Sequence, residues 1–311
     1  MAEHDAPREE PRVPGGPRIG VAVATVLVLV VGTVGFLFLQ SRGSALALTL
    51  SKGRTYSYHA TMSTDGTFSS QGQPRPISFK FVTDVTMHVT DVDTHGVASI
   101  QVGTTNTSGT LNGQVLPATP TSSTTMRVAP DGSIVSGGDI GLATSGGAGN
   151  SIAGASQFLP ILPDGKVKPG DSWTKSFDQA FPLGSGTLHY ASRNRLLRYE
   201  SLNGVRSAVV QSTITVPLQM TLDIQRIVES SGRSLSQVGL PAGSDPRIAY
   251  RGTSAIDLTA WLDPAAGVLL KSDLQAKMDF TMTFQGFPAS QVPAGATATF
   301  TGTVSMTLTK A

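Results

Sequence analysis

Three polar residues at alternate positions, Asp91, Asp93 and His95, form the densest cluster of chemistry-bearing side chains in the sequence. Alternate residues of a strand share one face, so two carboxylates and an imidazole at this spacing could hold one metal ion. The same segment, TDVDTHG, also has the composition of a hairpin tip, because Asp is common in turns and Gly96 suits one. The turn is the more frequent use of such a segment, so we predict no metal site here.

The motifs of common enzyme classes are incomplete. GNSIAG, beginning at Gly149, resembles a nucleophile elbow, but Ala153 replaces the final glycine and no parallel strand-to-helix unit surrounds it. GGAGNS lacks the Lys and Ser or Thr of a phosphate-binding loop. His59, His88 and His189 fall on strand-like segments, where solvated side chains are the default. We therefore predict no catalytic residues, no cofactor and no enzymatic activity, and we rank a hydrolase or metal-binding protein third among the hypotheses.

The composition limits the partners and the chemistry. The 311 residues include 23 Lys and Arg against 21 Asp and Glu, and this near balance argues against a nucleic-acid partner. The sequence has no cysteine, which excludes disulfides, thiolate metal sites, a cysteine nucleophile and a lipidated cysteine. Attachment to a membrane must then come from the chain itself.

An uncharged run of 21 residues, Ile19 to Leu39, is long enough to cross a bilayer as a helix. We predict a transmembrane helix at 19–40 that anchors the protein to the membrane. A cleaved signal peptide is the alternative, because SALA at Ser44 to Ala47 offers a cleavage site. The apolar core of a signal peptide, however, usually has about 7–15 residues, which is shorter than this run.

The orientation of the span is predicted from the segments on its two sides. Basic residues are equally numerous before and after it, so the positive-inside rule does not decide. A short, Pro-rich tail at 1–18 precedes the span, and a linker at 41–52 leads to a large, lysine-poor domain at 53–311. This order is typical of a signal anchor. We expect a single-pass protein of the plasma membrane with its C-terminal domain outside the cytoplasm.

The outer domain alternates apolar and polar residues in segments separated by Gly, Pro, Asp and Asn turns, which is typical of antiparallel sheets. VLLKSDLQAKMDFTMTF, Val268 to Phe284, keeps this alternation for 17 residues, about three times an ordinary strand length. Because long strands twist and bend, we predict a mainly β domain built as a long, curved antiparallel sheet or partial barrel. Residues 137–165 and the segment after Ile224 predict short helices or flaps, and Pro217 predicts an edge strand or a bulge.

An internal pseudo-repeat is predicted for residues 53–136 and 166–311. GRTYSYHA resembles GDSWTKSF, the hairpin at Gly96 resembles that at Gly204, and MRVAPDGSIVS resembles AWLDPAAGVLLKS. These parts occur twice in the same order, with different spacings. Chance similarity among β hairpins is the alternative.

Two of the long strands supply a candidate ligand face. Its members are apolar side chains at alternate positions: Leu270, Leu274, Met278, Phe280, Met282, Phe284, Met220 and Leu222. The face is too long for a small core to cover easily, and flexible thioethers suit variable partners. We predict that it binds an apolar or lipidic ligand or an envelope protein. The alternative is a structural or scaffold domain of the cell envelope, in which the repeats close on each other and bury this face.

Three of the quoted features also carry a resemblance. LPDGKVKPGDSW, the hairpin at Gly204 and WLDPAAGVLLKSDLQAKMDF resemble an uncharacterised family of bacterial exported or membrane-anchored β-rich proteins, over most of residues 50–311. The architecture is more distantly similar to the half-barrels of bacterial lipoprotein carriers, whose concave apolar side holds acyl chains. This chain departs from them in its size, its pseudo-repeat and its anchor without a lipidated cysteine. The resemblance implies a lipid-binding function by analogy of fold.

Overall fold

The computed structural model describes residues 43–116, 122–137, 158–180, 184–185, 187–230, 234–241, 243–293 and 295–311. The predicted tail, the predicted transmembrane helix and the GNSIAG segment lie outside these residues. Among the described residues, the helices are too short or too polar to cross a membrane.

Most of the described chain forms antiparallel strands, as the alternating pattern predicts. The strands are β1 (Ser44–Ala45), β2 (Thr55–Ser70), β3 (Gln73–Val92), β4 (Ala98–Leu111), β5 (Gln114–Val115), β6 (Ser122–Val128), β7 (Ile134–Gly137), β8 (Lys166–Val167), β9 (Ser172–Ala180), β10 (Gly184–Ser185), β11 (Thr187–Leu202), β12 (Val205–Asp223), β13 (Arg247–Asp263), β14 (Val268–Gln285) and β15 (Thr297–Lys310). A short helix, α1 (Ile224–Ser230), and a 3-10 helix (Leu235–Val238) follow β12. The mainly β fold and the short helix after residue 223 are confirmed.

One large sheet contains all strands except β1 and β8, which pair with each other. Its order is β7-β6-β4-β3-β2-β15-β14-β13-β12-β11-β9, with β5 beside β4 and β10 beside β12. Among the described residues β7 and β9 do not pair with each other, so the sheet is open and the barrel is partial.

The order of the sheet divides it into two meanders. Strands β2, β3, β4, β6 and β7 are neighbours in chain order, and so are strands β9 and β11 to β15. Strand β15 joins the two meanders by pairing with β2. The hairpin turns expected at Gly96 and Gly204 are present, and both glycines have positive φ angles, of 78° and 80°. The predicted pseudo-repeat matches this arrangement but stays a prediction, since similar hairpins also arise independently.

The sheet is strongly curved, because residues near its two edges meet. In a flat sheet, nine strand spacings of about 4.8 Å would place β6 about 43 Å from β9. Instead, Lys175 Nζ on β9 lies 2.6 Å from Asp131 Oδ2 in the β6–β7 turn. Side chains of ordinary length cannot span the flat distance. The sheet therefore curls until its edges approach each other, and its apolar face lies inside the curve.

The long strand predicted at Val268 to Phe284 is β14, but the side chains near its start do not alternate as predicted. A bulge interrupts the β13–β14 ladder, where Trp261 pairs with Lys271 and Leu262 pairs with Leu269. Leu269 thus takes the buried position, with 2% of its surface exposed. Leu270 is only half-buried and does not share the face of Leu274. A bulge reverses the alternation, and sequence periodicity alone does not place it.

Pro217 lies inside the sheet, so the prediction of an edge strand or a bulge at this residue is wrong. It pairs with Thr253 in an uninterrupted β12–β13 ladder. On the other side, the described β11 ladder ends at Thr215, and pairing resumes only at Thr221 with β10. Proline lacks a backbone N–H donor. A gap in one ladder accommodates it inside the sheet.

The predicted linker belongs partly to the folded domain. Strand β1 pairs with β8, and Leu46 and Leu48 are buried in the core. The amide of Leu48 donates to the carbonyl of Pro130, at 2.7 Å. The domain therefore begins by residue 44 rather than 53, because two alternate leucines are too short a pattern to predict a packed segment.

Candidate ligand-binding face

The long strands give the sheet two ends and two faces. Strand β2 runs from Thr55, at what we call the proximal end, to Ser70, at the distal end. Its even-numbered side chains share the apolar core face with the even-numbered side chains of β12, β13 and β15 and with the odd-numbered ones of β3 from Gln73 to Val89. The opposite, outer face carries mainly Thr, Ser and charged residues.

Two segments close the proximal end of the core face. Leu46 and Leu48 form part of the first, and the second contains Phe158, Leu159, Ile161 and Leu162, all of which are buried.

Hydrogen bonds attach the second segment to both edges of the sheet. The Leu162 amide donates to the Asp131 carbonyl at 2.7 Å, and Trp173 Nε1 donates to the Ile161 carbonyl at 3.0 Å. Ser272 Oγ donates to the Phe158 carbonyl at 2.8 Å. The apolar run at 158–162 is therefore a plug between the edges.

An ion-pair latch, formed by Lys175, Asp131 and Asp164, lies beside this plug. Lys175 Nζ contacts Asp131 Oδ2 at 2.6 Å and Asp164 Oδ1 at 2.7 Å, and the lysine side chain is 14% exposed. Burial alone would raise the pKa of Asp131, but hydrogen bonds from Lys175 and Ser133 outweigh it and lower that pKa. Burial likewise opposes the charge of Lys175, yet its two carboxylate partners raise its pKa. The latch is charged at neutral pH and ties the two edges together.

The distal end of the second meander is covered by the chain that follows β12. Four apolar side chains of this connection are buried in the same core: Ile224 and Val228 of α1, Leu235 of the 3-10 helix, and Leu240, which follows that helix. Gln291 Nε2 donates to the Gly239 carbonyl at 2.6 Å, which joins this cover to the β14–β15 connection.

Most of the sequence-predicted ligand face is buried in this core. Five of its members are at most 6% exposed: Leu274, Met278, Phe280, Met220 and Leu222. Met282 and Phe284, farther along β14, are half-buried. The structure thus brings seven of the eight side chains to one face, and makes most of them part of the core.

The distal end of the first meander is more exposed. Its core face presents five apolar side chains, which we call the distal patch: Met62, Phe68, Ile77, Phe79 and Leu111. The first four are half-buried, and Leu111, which pairs with Phe79, is 38% exposed. Ala60, farther towards the proximal end, and Phe81, which pairs with Met62, are buried. The apolar surface therefore continues beyond the part that the described chain covers.

The distal patch was not predicted from the sequence as a ligand-binding surface. Ile77 and Phe79 alternate with polar residues in the sequence. Met278 and Phe280 show the same alternation, but they are distal and covered. What distinguishes them is the neighbouring connection. The hairpin β2–β3 turns through Gln71 and Gly72, both with positive φ, and a two-residue turn of this kind supplies no cover.

The distal core face is a low-polarity environment. Burial raises the pKa of Tyr250 to about 12 and also raises that of Tyr190. The ring of Phe280 lies 5.5 Å from that of Tyr250 and 5.3 Å from that of Phe300, between ring centroids. Tilted aromatic rings of this kind form an apolar floor. Such a floor is suited to apolar groups rather than to charged reactants.

The cluster Asp91, Asp93 and His95 is a hairpin tip. Asp93 Oδ1 accepts from the amides of His95 and Val97, at 2.9 and 3.0 Å, and the hydrogen bond from Val97 lowers the pKa of Asp93. The partner of Asp91 is Lys52 Nζ, 2.8 Å away. Among the described residues, acidic and histidine side chains form no group suited to a metal ion.

The three strand histidines are exposed on the outer face. His59 Nδ1 lies 3.0 Å from Asp84 Oδ1, and His88 Nδ1 lies 3.0 Å from Thr55 Oγ1. His189 contacts Asp178. Their pairwise contacts do not assemble a nucleophile, a base and an orienting group.

The chain was also compared with known proteins. It matches no model of a known protein family and no curated protein. Its function is therefore inferred from the geometry of the core face.

Proposed function

We propose that the protein is a membrane-anchored, non-enzymatic binding protein of the cell envelope, with its β domain outside the cytoplasm. It binds an apolar or lipidic ligand on the distal patch, extended by the half-buried Met282 and Phe284. The predicted span at Ile19 to Leu39 would anchor it in the plasma membrane.

The distal patch is the observation that carries this proposal. An ordinary core residue is covered by its own chain, as Leu218 and Ile256 are, with 1% and 0% exposure. The five patch residues instead leave apolar surface at the opening of a curved, open sheet. Burying such surface under an apolar ligand is favourable by roughly 25 cal/mol per Å² removed from water.

A scaffold function is the second candidate. It is favoured by the burial of Met220, Leu222, Met278 and Phe280, which gives the second meander a filled core. In that case the distal patch would be a loosely packed margin of the core without a ligand.

Native mass spectrometry of the full chain, released from membranes in a mild detergent, separates the two candidates. We expect discrete lipid-sized mass additions on the unmodified protein. Phe79→Asp should lose them, because a carboxylate on the core face opposes apolar binding. Lys80→Asp is the matched control, since Lys80 is the next residue on β3 and points to the outer face. It should keep the additions.

The scaffold function would be supported if the unmodified protein carried no additions. Additions that persist equally in Phe79→Asp would place the bound lipid elsewhere, for instance on the predicted span, and would also count against the proposal.

A further inference from the structure

Charge is distributed unevenly over the distal half of the core face. At the core-face positions of the described strands there, no Asp or Glu occurs, and one basic residue does, Arg75. Lys175, in the latch beside the plug, is neutralised by its two carboxylate partners. Arg75 is exposed and makes no ion pair with a described residue. Among the described strands it is therefore the one uncompensated charge beside the apolar surface.

Arg75 lies at the end of the distal patch that is nearest to the β2–β3 turn. It shares the core face with Ile77, two residues or about 6.6 Å along β3, and it pairs across the hairpin with Phe68. The next core-face pair towards the turn, Ser70 and Gln73, is polar and uncharged. The core face of β2 and β3 thus passes from apolar, at Phe79, to cationic and then neutral polar at the distal end.

The backbone around Arg75 is restrained. Pro74 and Pro76 flank it and fix their own φ angles near −65°. The residue before a proline is confined to extended conformations, which applies to Arg75 itself. The side chain of Arg75 consequently leaves a stiff strand end on the core-face side.

This arrangement is complementary to an amphiphile. A guanidinium donates hydrogen bonds in a fork that fits a carboxylate. A phosphate monoester carries about −1.5 to −2 charges at pH 7, which is more than the single uncompensated cation on the distal core face of the described strands would balance. We propose that the ligand is a long-chain carboxylate, with its head group on Arg75 and its chain along Ile77, Phe79 and Phe68. This inference rests on the proposed apolar binding at the distal patch.

Photolabelling of the full chain in lipid nanodiscs tests this assignment. The probes are a long-chain carboxylate and the alcohol of equal length, each with a diazirine in mid-chain, and mass spectrometry locates the labelled residues. We expect the carboxylate to label the β2–β3 segment more than the alcohol does. The preference should be roughly 1.5- to fivefold, the range that exposed ion pairs typically provide.

Two variants make the comparison specific. Arg75→Gln should abolish the preference for the carboxylate while labelling by the alcohol persists. Lys80→Gln, which removes a cation from the outer face of the same strand, should retain the preference. The thermal unfolding midpoint of each variant confirms that it is folded.

Each of the other outcomes would contradict the carboxylate assignment. Equal labelling of the patch by both probes in the unmodified protein, or a preference that survives in Arg75→Gln, would overturn the carboxylate assignment and leave apolar binding intact. If neither probe labels the patch, both the proposed function and this inference fail.

Discussion

Strand β12 and the hairpin β2–β3 belong to the same sheet but differ in how their distal ends are covered. On β12, every core-face side chain from Ala208 to Leu222 is buried. On β2 and β3 the burial stops at Ala60 and Phe81, and the apolar side chains farther along are half-buried.

The connections explain this difference. The chain between β12 and β13 contains α1 and the 3-10 helix, whose apolar side chains pack back on the core. The hairpin β2–β3 instead closes through Gln71 and Gly72. Strands of equal apolar character thus become core or open surface according to the length of their connections.

Replacing matched isoleucines should show this difference with the largest effect. Ile256→Ala, at a fully buried position, should lower the free energy of unfolding by about 2–5 kcal/mol, because it leaves a cavity in a packed core. Ile77→Ala, in the distal patch, should lower it by roughly 1 kcal/mol or less, since its side chain already meets solvent. Urea unfolding of the full chain, followed by tryptophan fluorescence, measures both values. Equal losses would show that the distal patch is packed like the core.

Removing the latch should have the next largest effect. Lys175→Met leaves the carboxylate of Asp131 half-buried without its lysine partner, and the free energy of unfolding should fall by about 1–3 kcal/mol. Lys52→Met is the control, because the Lys52–Asp91 pair is mostly exposed and should change stability little. If Lys175→Met were as neutral as Lys52→Met, the two edges of the sheet would be held by the plug alone.

The latch also predicts a dependence on pH. The pKa of Asp131 is lowered in the folded protein, so its contribution is present above the unfolded value of about 3.9. That contribution is lost as the pH falls through the lower folded pKa. The difference in stability between Lys175→Met and the unmodified protein should therefore be greatest above about pH 4 and shrink below it. A difference that grows on acidification would contradict this assignment.

A smaller effect is expected where the covered distal core face is most tightly packed. A Cβ atom on Gly252 would overlap the carbonyl oxygen of Asp279 and the backbone of Phe280 on the neighbouring strand. Gly252→Ala should lower the free energy of unfolding by roughly 1–2 kcal/mol, because the β13–β14 ladder must shift. Gly165→Ala meets no atom within 4 Å and should be nearly neutral. A neutral Gly252→Ala would indicate that the covered region is looser than its burial suggests.

Much of the fold follows from the periodicity of the sequence. Alternation over 17 residues predicts β14 and its apolar face, and Gly96 and Gly204 predict two of the hairpins. The position of Leu270 could not be predicted, because a bulge changes the facing of residues without changing their types. The pairing order of strands that are far apart in the sequence also leaves no local signal. This order brings Lys175 close to Asp131.

The sequence predicted that the candidate site is apolar but did not predict where it lies. Phe79 and Phe280 have the same surroundings in the sequence, each alternating with polar residues, yet only Phe280 is covered. The cover comes from segments far away in the sequence, which pack by tertiary contacts. Sequence periodicity therefore indicates an apolar face, but the fold decides which part of it meets solvent.

The absence of cysteine allows the most direct measurement on the full chain. Single cysteines are placed at Phe79 in the distal patch, at Met220 in the covered region and at Lys80 on the outer face, and their rates of maleimide labelling are compared with and without a long-chain carboxylate. We predict that Phe79→Cys reacts readily and is slowed severalfold by the carboxylate, that Lys80→Cys reacts readily in both conditions, and that Met220→Cys reacts only on unfolding. A Phe79→Cys protein as unreactive as Met220→Cys, or one indifferent to the carboxylate, would contradict an open, ligand-binding distal patch.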